Sequence, residues 1–139
     1  MANNSISSIR TALNMNLSAV SEIKEVLIGR TAQFSKFPAC RHYLMAIGDA
    51  DTDTATNFRT YKFGIDVIMP VAIQSVTKPT SEAEFQDAID AVMDKLNDKW
   101  DDTVDLSIIE IGNVQEVTTP QGPANILTIV WQARTLITI

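Results

Sequence analysis

The sequence is poor in the residue types that build most redox and metal sites. It contains one cysteine, Cys40, and one histidine, His42, among 139 residues. A single cysteine excludes a disulfide within the chain and is compatible with a reducing compartment. One histidine excludes a histidine-based metal cluster within one subunit. We interpret Cys40 as a buried, inert thiol and His42 as a surface or interface histidine rather than a catalytic one.

Long apolar runs and clustered glycines are also missing. No apolar run is long enough to span a bilayer, and the polar start MANNSISSIR lacks the apolar core of a signal peptide. The five glycines are too far apart to form a phosphate-binding loop, and no serine lies in a G-x-S-x-G motif. We therefore predict a protein that is not an enzyme, with no cofactor, no metal site and no membrane partner.

Positive charge is scarce and negative charge is unevenly placed. The net charge is −6, which argues against a protein that grips phosphate backbones. The segment from Glu82 to Glu116 holds 11 of the 17 acids, against only Lys95 and Lys99. Length, 45% apolar residues and 20% charged residues are typical of one globular domain, which we expect to span residues 1–139.

The first part of the chain has the spacing of an amphipathic helix over residues 5–28. Its apolar residues recur three or four apart and would form one broad face. These residues are Ile6, Ile9, Leu13, Leu17, Val20, Ile23 and Leu27. Ser5 is suited to cap the start and Gly29 to follow the end. The asparagines Asn14 and Asn16 leave open whether this is one helix or two.

Alternation of apolar and polar residues predicts four strands. Residues 40–47 and 58–71 form an antiparallel hairpin, and residues 104–118 and 124–138 form a second one, joined by the turn TPQGP. The last strand contains VWQARTLITI, which has few charges and would be a liability as an open edge. We expect this strand in the middle of the sheet or at a subunit interface, which favours a homo-oligomer.

A second amphipathic helix over residues 81–98 separates the hairpins. Ser81, with Glu84 three residues later, fits a capping box. The order is α-β-β-α-β-β, and the predicted fold class is α+β: a two-layer domain whose antiparallel or mixed sheet is covered on one face by two helices. The parity of the segment LSIIEI shifts at Ile108 and Ile109, which predicts a β-bulge or a strand covered on both sides.

The stretch GDADTDTATNFRTYKF begins like a calcium loop. Its aspartates alternate like the ligands of a hard cation: Asp49, Asp51 and Asp53. A calcium loop starting at Asp49 needs glycine at its sixth position and glutamate at its twelfth, which are here Thr54 and Thr60. The flanks are predicted strands rather than helices. We interpret the stretch as a polar hairpin loop, with a weak cation site shared between subunits as the alternative.

A row of aspartates lies along the second helix and just beyond its end, at the spacing of one helix face. Its members are Asp87, Asp90, Asp94, Asp98 and Asp101. Like charges three or four residues apart cost an isolated helix roughly a few tenths of a kcal/mol each. The row is either a solvated helix face or a negative wall that repels another polyanion or meets a basic partner.

The segments together resemble a known family. An N-terminal amphipathic helix leads into GRTAQFSKFPAC, and a hairpin whose second strand reads RTYKFGIDVIM follows. Then come a helix with EFQDAIDAVMDKL and two C-terminal strands. This pattern resembles the tail terminator, or tail completion, proteins of long-tailed bacteriophages over most of the chain.

The resemblance implies a structural role in the tail or neck of a virion assembled in the host cytoplasm. Such proteins form a hexameric ring that caps the tail tube, ends its polymerisation and offers a docking surface to the head. The implied partners are further copies of the chain, the tail tube protein and the head-tail connector protein, with DNA passing through unbound. The implied contact residues are Asp49, Asp51, Asp53 and Arg59. The implied lumen residues are Asp87, Asp90, Asp94, Asp98 and Asp101.

Two other functions stay open on the sequence. One is another neck or head-completion protein, which shares the ring architecture. The other is a chaperone-like binding module that holds a basic client on its acidic face. A metal-dependent hydrolase would have to use Asp49, Asp51 and Asp53, and we expect no such activity.

Overall fold

The computed structural model describes residues 5–31, 33–51, 56–71, 81–98, 104–120 and 122–138. Two helices and six strands make a mixed α+β fold, which agrees with the predicted fold class. In chain order the elements are α1 (Ile6–Ser18), β1 (Glu25–Ile28), β2 (Ala39–Asp51), β3 (Thr56–Pro70), α2 (Ser81–Asn97), β4 (Val104–Ile111), β5 (Gln115–Thr119) and β6 (Gly122–Thr138).

All six strands belong to one sheet, in the order β1-β2-β3-β6-β4, with β5 also paired to β6. The pairing of β1 with β2 is parallel, and every other pairing is antiparallel. The first predicted hairpin is confirmed as β2 and β3. The apolar last strand, β6, lies between β3 on one side and β4 and β5 on the other. Its position inside the sheet accounts for its low charge without an interface.

The first helix is shorter than predicted. Ser5 caps its start as expected, because the Ser8 amide donates to the Ser5 side chain at 3.1 Å, and the asparagines do not interrupt it. It ends at Ser18, however, and residues 25–28 form strand β1 instead of its last turn. The apolar spacing hides this end because Val20 and Ile23 are buried in the turn that follows the helix.

Gly29 consequently follows a strand, not a helix. It does adopt a left-handed conformation, with a φ of 96°, which favours glycine. Its amide donates to the carbonyl of His42 at 2.8 Å, so the chain leaves β1 while still attached to β2.

The strand predicted over residues 104–118 is two strands, β4 and β5, separated by residues 112–114. The predicted bulge is confirmed: the pairing of β4 with β6 shifts register between Ile108 and Glu110. The bulge residue, Ile109, is left exposed. Asp101, expected near the end of α2, lies outside the described residues.

The main core combines both helices with alternate residues of the central strands. Ile9, Leu13 and Leu17 of α1 belong to the same cluster as four residues of α2: Phe85, Ala88, Val92 and Leu96. The strand residues of this cluster include Tyr61, Phe63, Ile65, Val67, Leu127, Ile129, Trp131 and Ala133. These alternate along β3 and β6 as the period-two pattern predicts. Helix α1 lies against β1, α2 lies against the central strand β3 and the outer strand β4, and the two helices contact each other.

Candidate functional site

The aspartate stretch is mostly strand. β2 extends to Asp51 and β3 begins at Thr56, so the hairpin runs further than the sequence predicts. Asp49 lies opposite Arg59 in the register of the two strands, whereas Asp51 lies opposite Asn57. Asp53 lies outside the described residues.

Metal binding finds no support in the described ranges. Within residues 5–31, 33–51, 56–71, 81–98, 104–120 and 122–138, no group of three His, Cys, Asp or Glu side chains lies close enough to hold a metal ion. In the same ranges, no helix is long and apolar enough to cross a membrane.

The acidic row lies on the outer face of α2. Asp87, Asp90, Asp94 and Asp98 are all exposed, and Lys95 is half-buried beside them. The opposite face of the helix carries the core residues, so the carboxylates point away from the sheet. The row is therefore a continuous negative surface on one end of the molecule.

The most densely bonded polar cluster was not predicted. Asp66 is 1% exposed and accepts three hydrogen bonds: from Arg41 Nε at 2.7 Å, Tyr43 Oη at 3.0 Å and Thr128 Oγ1 at 2.6 Å. Arg41 also donates to the carbonyl of Thr31. We call Asp66, Arg41, Tyr43 and Thr128 the Asp66 cluster; Asp66 alternates with the core residues Ile65 and Val67, so the cluster lies on the face of β3 opposite the main core.

Gly64 allows this cluster to close. A Cβ atom at Gly64 would lie 2.3 Å from Tyr43 Cε2, so the tyrosine ring can cover the sheet only above a glycine. Arg30 stacks on the same ring, 4.0 Å from its centroid. In the period-two pattern of β3, Gly64 and Asp66 alternate with Phe63, Ile65 and Val67, a pattern that by itself predicts a polar, open face. The sequence holds no local signal for the cluster, because Arg41 and Tyr43 lie 25 and 23 residues before Asp66.

Cys40 and His42 have no exposed surface. Burial raises the pKa of the Cys40 thiol, and the Asp66 carboxylate raises it further, which agrees with the predicted inert thiol. The surface or interface position predicted for His42 is wrong. The ring is buried and its Nε2 lies 2.8 Å from Asn14 Oδ1, because β2 runs directly under α1 at this point.

The charge state of His42 follows from its surroundings. Burial and the nearby Arg10 guanidinium lower the pKa of His42 from 6.5 to about 4, so the imidazole is neutral near pH 7. With Asn14 Oδ1 as acceptor, Nε2 carries the proton. Nδ1 is buried and has no hydrogen-bond partner in the described part of the chain.

The two ends of the sheet differ in charge. We call α1, β1 and β2 the β1 end, and α2 and β4 the β4 end. The described residues that build the β1 end, 5–31 and 33–51, contain five Lys or Arg and four acids. The described residues that build the β4 end, 81–98 and 104–111, contain eight acids and one lysine.

The β1 end contains a cleft of about 330 Å³ between α1 and β1. Its lining is Ile6, Ser7, Arg10, Thr11, Asn14, Met15 and Ile28. Met15 is 67% exposed and Ile28 is 55% exposed, so the rim is apolar and open. Arg10 and Asn14 follow Ile6 at four-residue spacing, a pattern in the sequence that marks the edge of the apolar face.

Arg10 is half-buried in this cleft without a counter-charge. Its guanidinium lies 5.9 Å from the centroid of the Phe63 ring, and its Nε is buried with no hydrogen-bond partner among the described residues. No carboxylate of those residues lies within ion-pair distance of it. Of the guanidinium nitrogens of Arg10, Nε is the one that is buried, so the charge lies in an open cleft where a carboxylate from another molecule can reach it.

The β4 end exposes aliphatic side chains next to an acid. Ile109 is 43% exposed, Ile111 is 51% exposed, and Glu110 between them is exposed. Residues 109–116 are all exposed, so the exposed run begins at the bulge and continues past the end of β4 into β5. In the described ranges, neither β1 nor β4 has a strand on its outer side.

Comparisons with known proteins give little beyond the fold. No protein-family model matches the chain, and no curated protein matches it. Among solved structures, the chain is similar to one from the virion of a native gene transfer agent (GTA) particle. The sequence identity is 17%, 90% of this chain and 84% of that chain are covered, and the TM-score is 0.45. At this TM-score the likeness carries no functional conclusion.

Proposed function

We propose that this protein is a structural, non-enzymatic virion component that forms a ring, in the manner of a tail terminator. In this role the ring caps the tail tube, ends its polymerisation and presents a docking surface to the head-tail connector. The proposal rests on the sequence resemblance to tail terminators together with one feature of the molecule: one end of its sheet is strongly acidic and the other is not, and both ends expose aliphatic side chains.

Opposite ends favour contacts that run head to tail. An isologous dimer joins the same patch on both subunits, and like charges oppose that arrangement at the acidic β4 end. A heterologous contact joins the β1 end of one copy to the acidic β4 end of the next. Such contacts produce a closed ring when the rotation between copies closes.

The acidic row of α2 would line the lumen of this ring. If both ends of the sheet are occupied by neighbouring copies, the helix layer is free to face the centre, where Asp87, Asp90, Asp94 and Asp98 remain exposed. A negative wall repels the phosphate backbone, so DNA passes without binding. Asp101 belongs to the same proposal. The hairpin around Asp49, Asp51, Asp53 and Arg59 is the proposed contact with the tail tube or the connector.

The mass of the protein in solution tests the ring. We expect light scattering behind a sizing column to show a six-subunit species that grows with protein concentration, in the presence or absence of tail tubes. A dimer that stays unchanged over the concentration range would contradict the ring and favour the chaperone-like module. Adding Mg²⁺ tests the shared cation site near Asp49 and Asp51, since binding there would shift the mass toward the ring.

The lumen is tested by reversing charge on α2. We expect the ring of Asp90→Lys/Asp94→Lys to retain double-stranded DNA in an electrophoretic assay, with binding that falls as salt rises. Glu22→Lys/Glu116→Lys changes the net charge equally at exposed positions outside α2 and is the matched control. Equal DNA binding by both variants would show that the acidic row does not face the DNA.

A further inference from the structure

Arg10 determines which kind of side chain can bind in the cleft at the β1 end. The cleft around it is apolar at the rim, where Met15 and Ile28 are exposed, and holds one cation without an acidic partner in the described ranges. A half-buried cation in such surroundings is best satisfied by a carboxylate that arrives together with apolar side chains. The cleft therefore fits an acidic residue flanked by aliphatic ones.

The β4 end presents that combination on this same chain. Ile109, Glu110 and Ile111 are consecutive, all exposed, and located on the outermost strand of the sheet. The acids around them give this end a negative field, which would steer it toward the Arg10 guanidinium of another molecule.

We propose that the Arg10 cleft of one copy receives the Ile109–Glu110–Ile111 segment of a second copy, with the Glu110 carboxylate paired to the Arg10 guanidinium. The inference rests on the proposed ring-forming function and names the contact that joins its subunits. The aliphatic side chains on both sides exclude water from the ion pair, which strengthens it relative to a pair on an open surface.

The contact is heterologous, because Arg10 and Glu110 lie at opposite ends of one sheet. Each copy therefore offers one cleft and one segment, and every added copy leaves one of each unoccupied until the ring closes. Two copies in this arrangement do not satisfy one another, so assembly proceeds past the dimer.

Charge reversal at both residues is the test, read by sedimentation velocity over a range of concentrations. We expect Arg10→Glu and Glu110→Arg each to raise the dissociation constant of the contact by about tenfold or more, because each places like charges together. The double variant Arg10→Glu/Glu110→Arg restores assembly, since the pair is present again with its signs exchanged. A mixture of the two single variants also assembles, as an alternating ring of both chains.

Matched controls separate this contact from net charge and from folding. Lys24→Glu and Glu116→Arg make the same charge changes at exposed positions outside the cleft and the segment, and we expect both to assemble as the wild type does. Arg10→Met removes the cation without adding an acid and should also weaken assembly. Unchanged far-UV circular dichroism in each variant shows that the monomer is folded.

The outcomes distinguish this contact from the proposed function. If the wild type forms the ring and both single reversals form it equally well, the contact is wrong while the ring stands. If the double variant and the mixture fail to assemble although the single variants are folded, the pairing of Arg10 with Glu110 is overturned. A wild type that stays monomeric at its solubility limit and on tail tubes overturns both the contact and the ring.

Discussion

Arg41 and Arg10 lie on opposite faces of the sheet, and they differ in whether an acidic side chain of the described chain pairs with the guanidinium. Arg41 forms an ion pair with Asp66 at 2.7 Å, and its side chain is 19% exposed. Arg10 extends from α1 into an open cleft and has no carboxylate partner among the described residues. Both guanidiniums also approach a phenylalanine ring, at 6.0 Å for Arg41 and 5.9 Å for Arg10. The difference between them is the acid.

This comparison separates stability from binding. A buried charge whose partner is in the same chain belongs to the fold, and removing the partner leaves a desolvated ion behind. A charge without a partner in the same chain contributes little to the stability of the fold. It can still form an ion pair with a carboxylate of another molecule, and that pairing then contributes to the free energy of binding. The Asp66 cluster is thus expected to matter for unfolding, and the Arg10 cleft for association.

The largest effect is expected at Asp66. Asp66→Ala removes the acceptor of three hydrogen bonds and leaves the Arg41 charge unpaired beside the sheet, so we expect a loss of about 3 kcal/mol in the free energy of unfolding. Urea titration at low protein concentration measures it. Glu116→Ala removes an exposed acid of β5 and should change the same free energy by less than about 0.5 kcal/mol. Equal losses in the two variants would contradict the structural role of Asp66.

The next largest effect is a pH dependence of the free energy of unfolding, and it arises at His42, which lies near Arg10. The folded-state pKa of His42 is lowered from 6.5 to about 4, so between these values the unfolded chain binds a proton that the folded chain does not. Stability is therefore complete above pH 6.5 and falls as the pH drops toward 4, by up to about 3 kcal/mol. Thermal melts at several pH values between 4.5 and 7.5 measure this slope.

His42→Gln is the control for that slope. It removes the titrating ring, and we expect the stability of this variant to depend less on pH between 4.5 and 6.5, whatever its absolute stability. Glu22 and Glu25 also have lowered pKa values, through hydrogen bonds from Ser21 and Ser35, but carboxyl groups lose their contribution at lower pH. An identical slope in wild type and variant would show that His42 is not the group responsible.

The third largest loss of unfolding free energy is expected for a substitution at Gly64, because the Tyr43 ring that the new side chain displaces can partly move away. Gly64→Ala places a methyl group against Tyr43, which must shift from Asp66 and from the Arg30 guanidinium; we expect a loss of about 2 kcal/mol. Gly48→Ala is the matched control in the neighbouring strand, where no atom lies within 4 Å of the new Cβ. Its effect should be neutral or slightly stabilising. A stable Gly64→Ala protein would mean that the ring has room to move.

Sequence reasoning succeeded where one physical period governs a segment. The alternation along β3 and β6 predicted which residues face the core, because each strand has one face against the helices. The end of α1 was missed because Val20 and Ile23 continue a helical spacing while they fill the core from a turn. Hydrophobic spacing reports burial, and burial does not require a helix.

The candidate sites were harder to predict because they depend on contacts between distant residues. Asp66 binds Arg41, 25 residues before it, and Thr128, 62 residues after it. The alternation of β3 gave Asp66 an open face, and only the register of three strands brings its partners together. The acidic row of α2 could be predicted because its aspartates lie only three or four residues apart in the sequence. The Arg10 cleft was not, since it needs the short strand β1 beside α1.

The smallest effect on stability is expected at Arg10, and it is the one that decides the comparison. Arg10→Met keeps an apolar side chain over Phe63 and removes a cation that has no acidic partner in the described chain. We expect the free energy of unfolding of the monomer to change by less than about 0.5 kcal/mol, in either direction. The same substitution removes one cause of the lowered pKa of His42, so that pKa should rise toward 6.5 in an NMR titration. A loss as large as that of Asp66→Ala would place Arg10 with Arg41 as a residue of the fold, and the β1 end would then have no charge reserved for a partner.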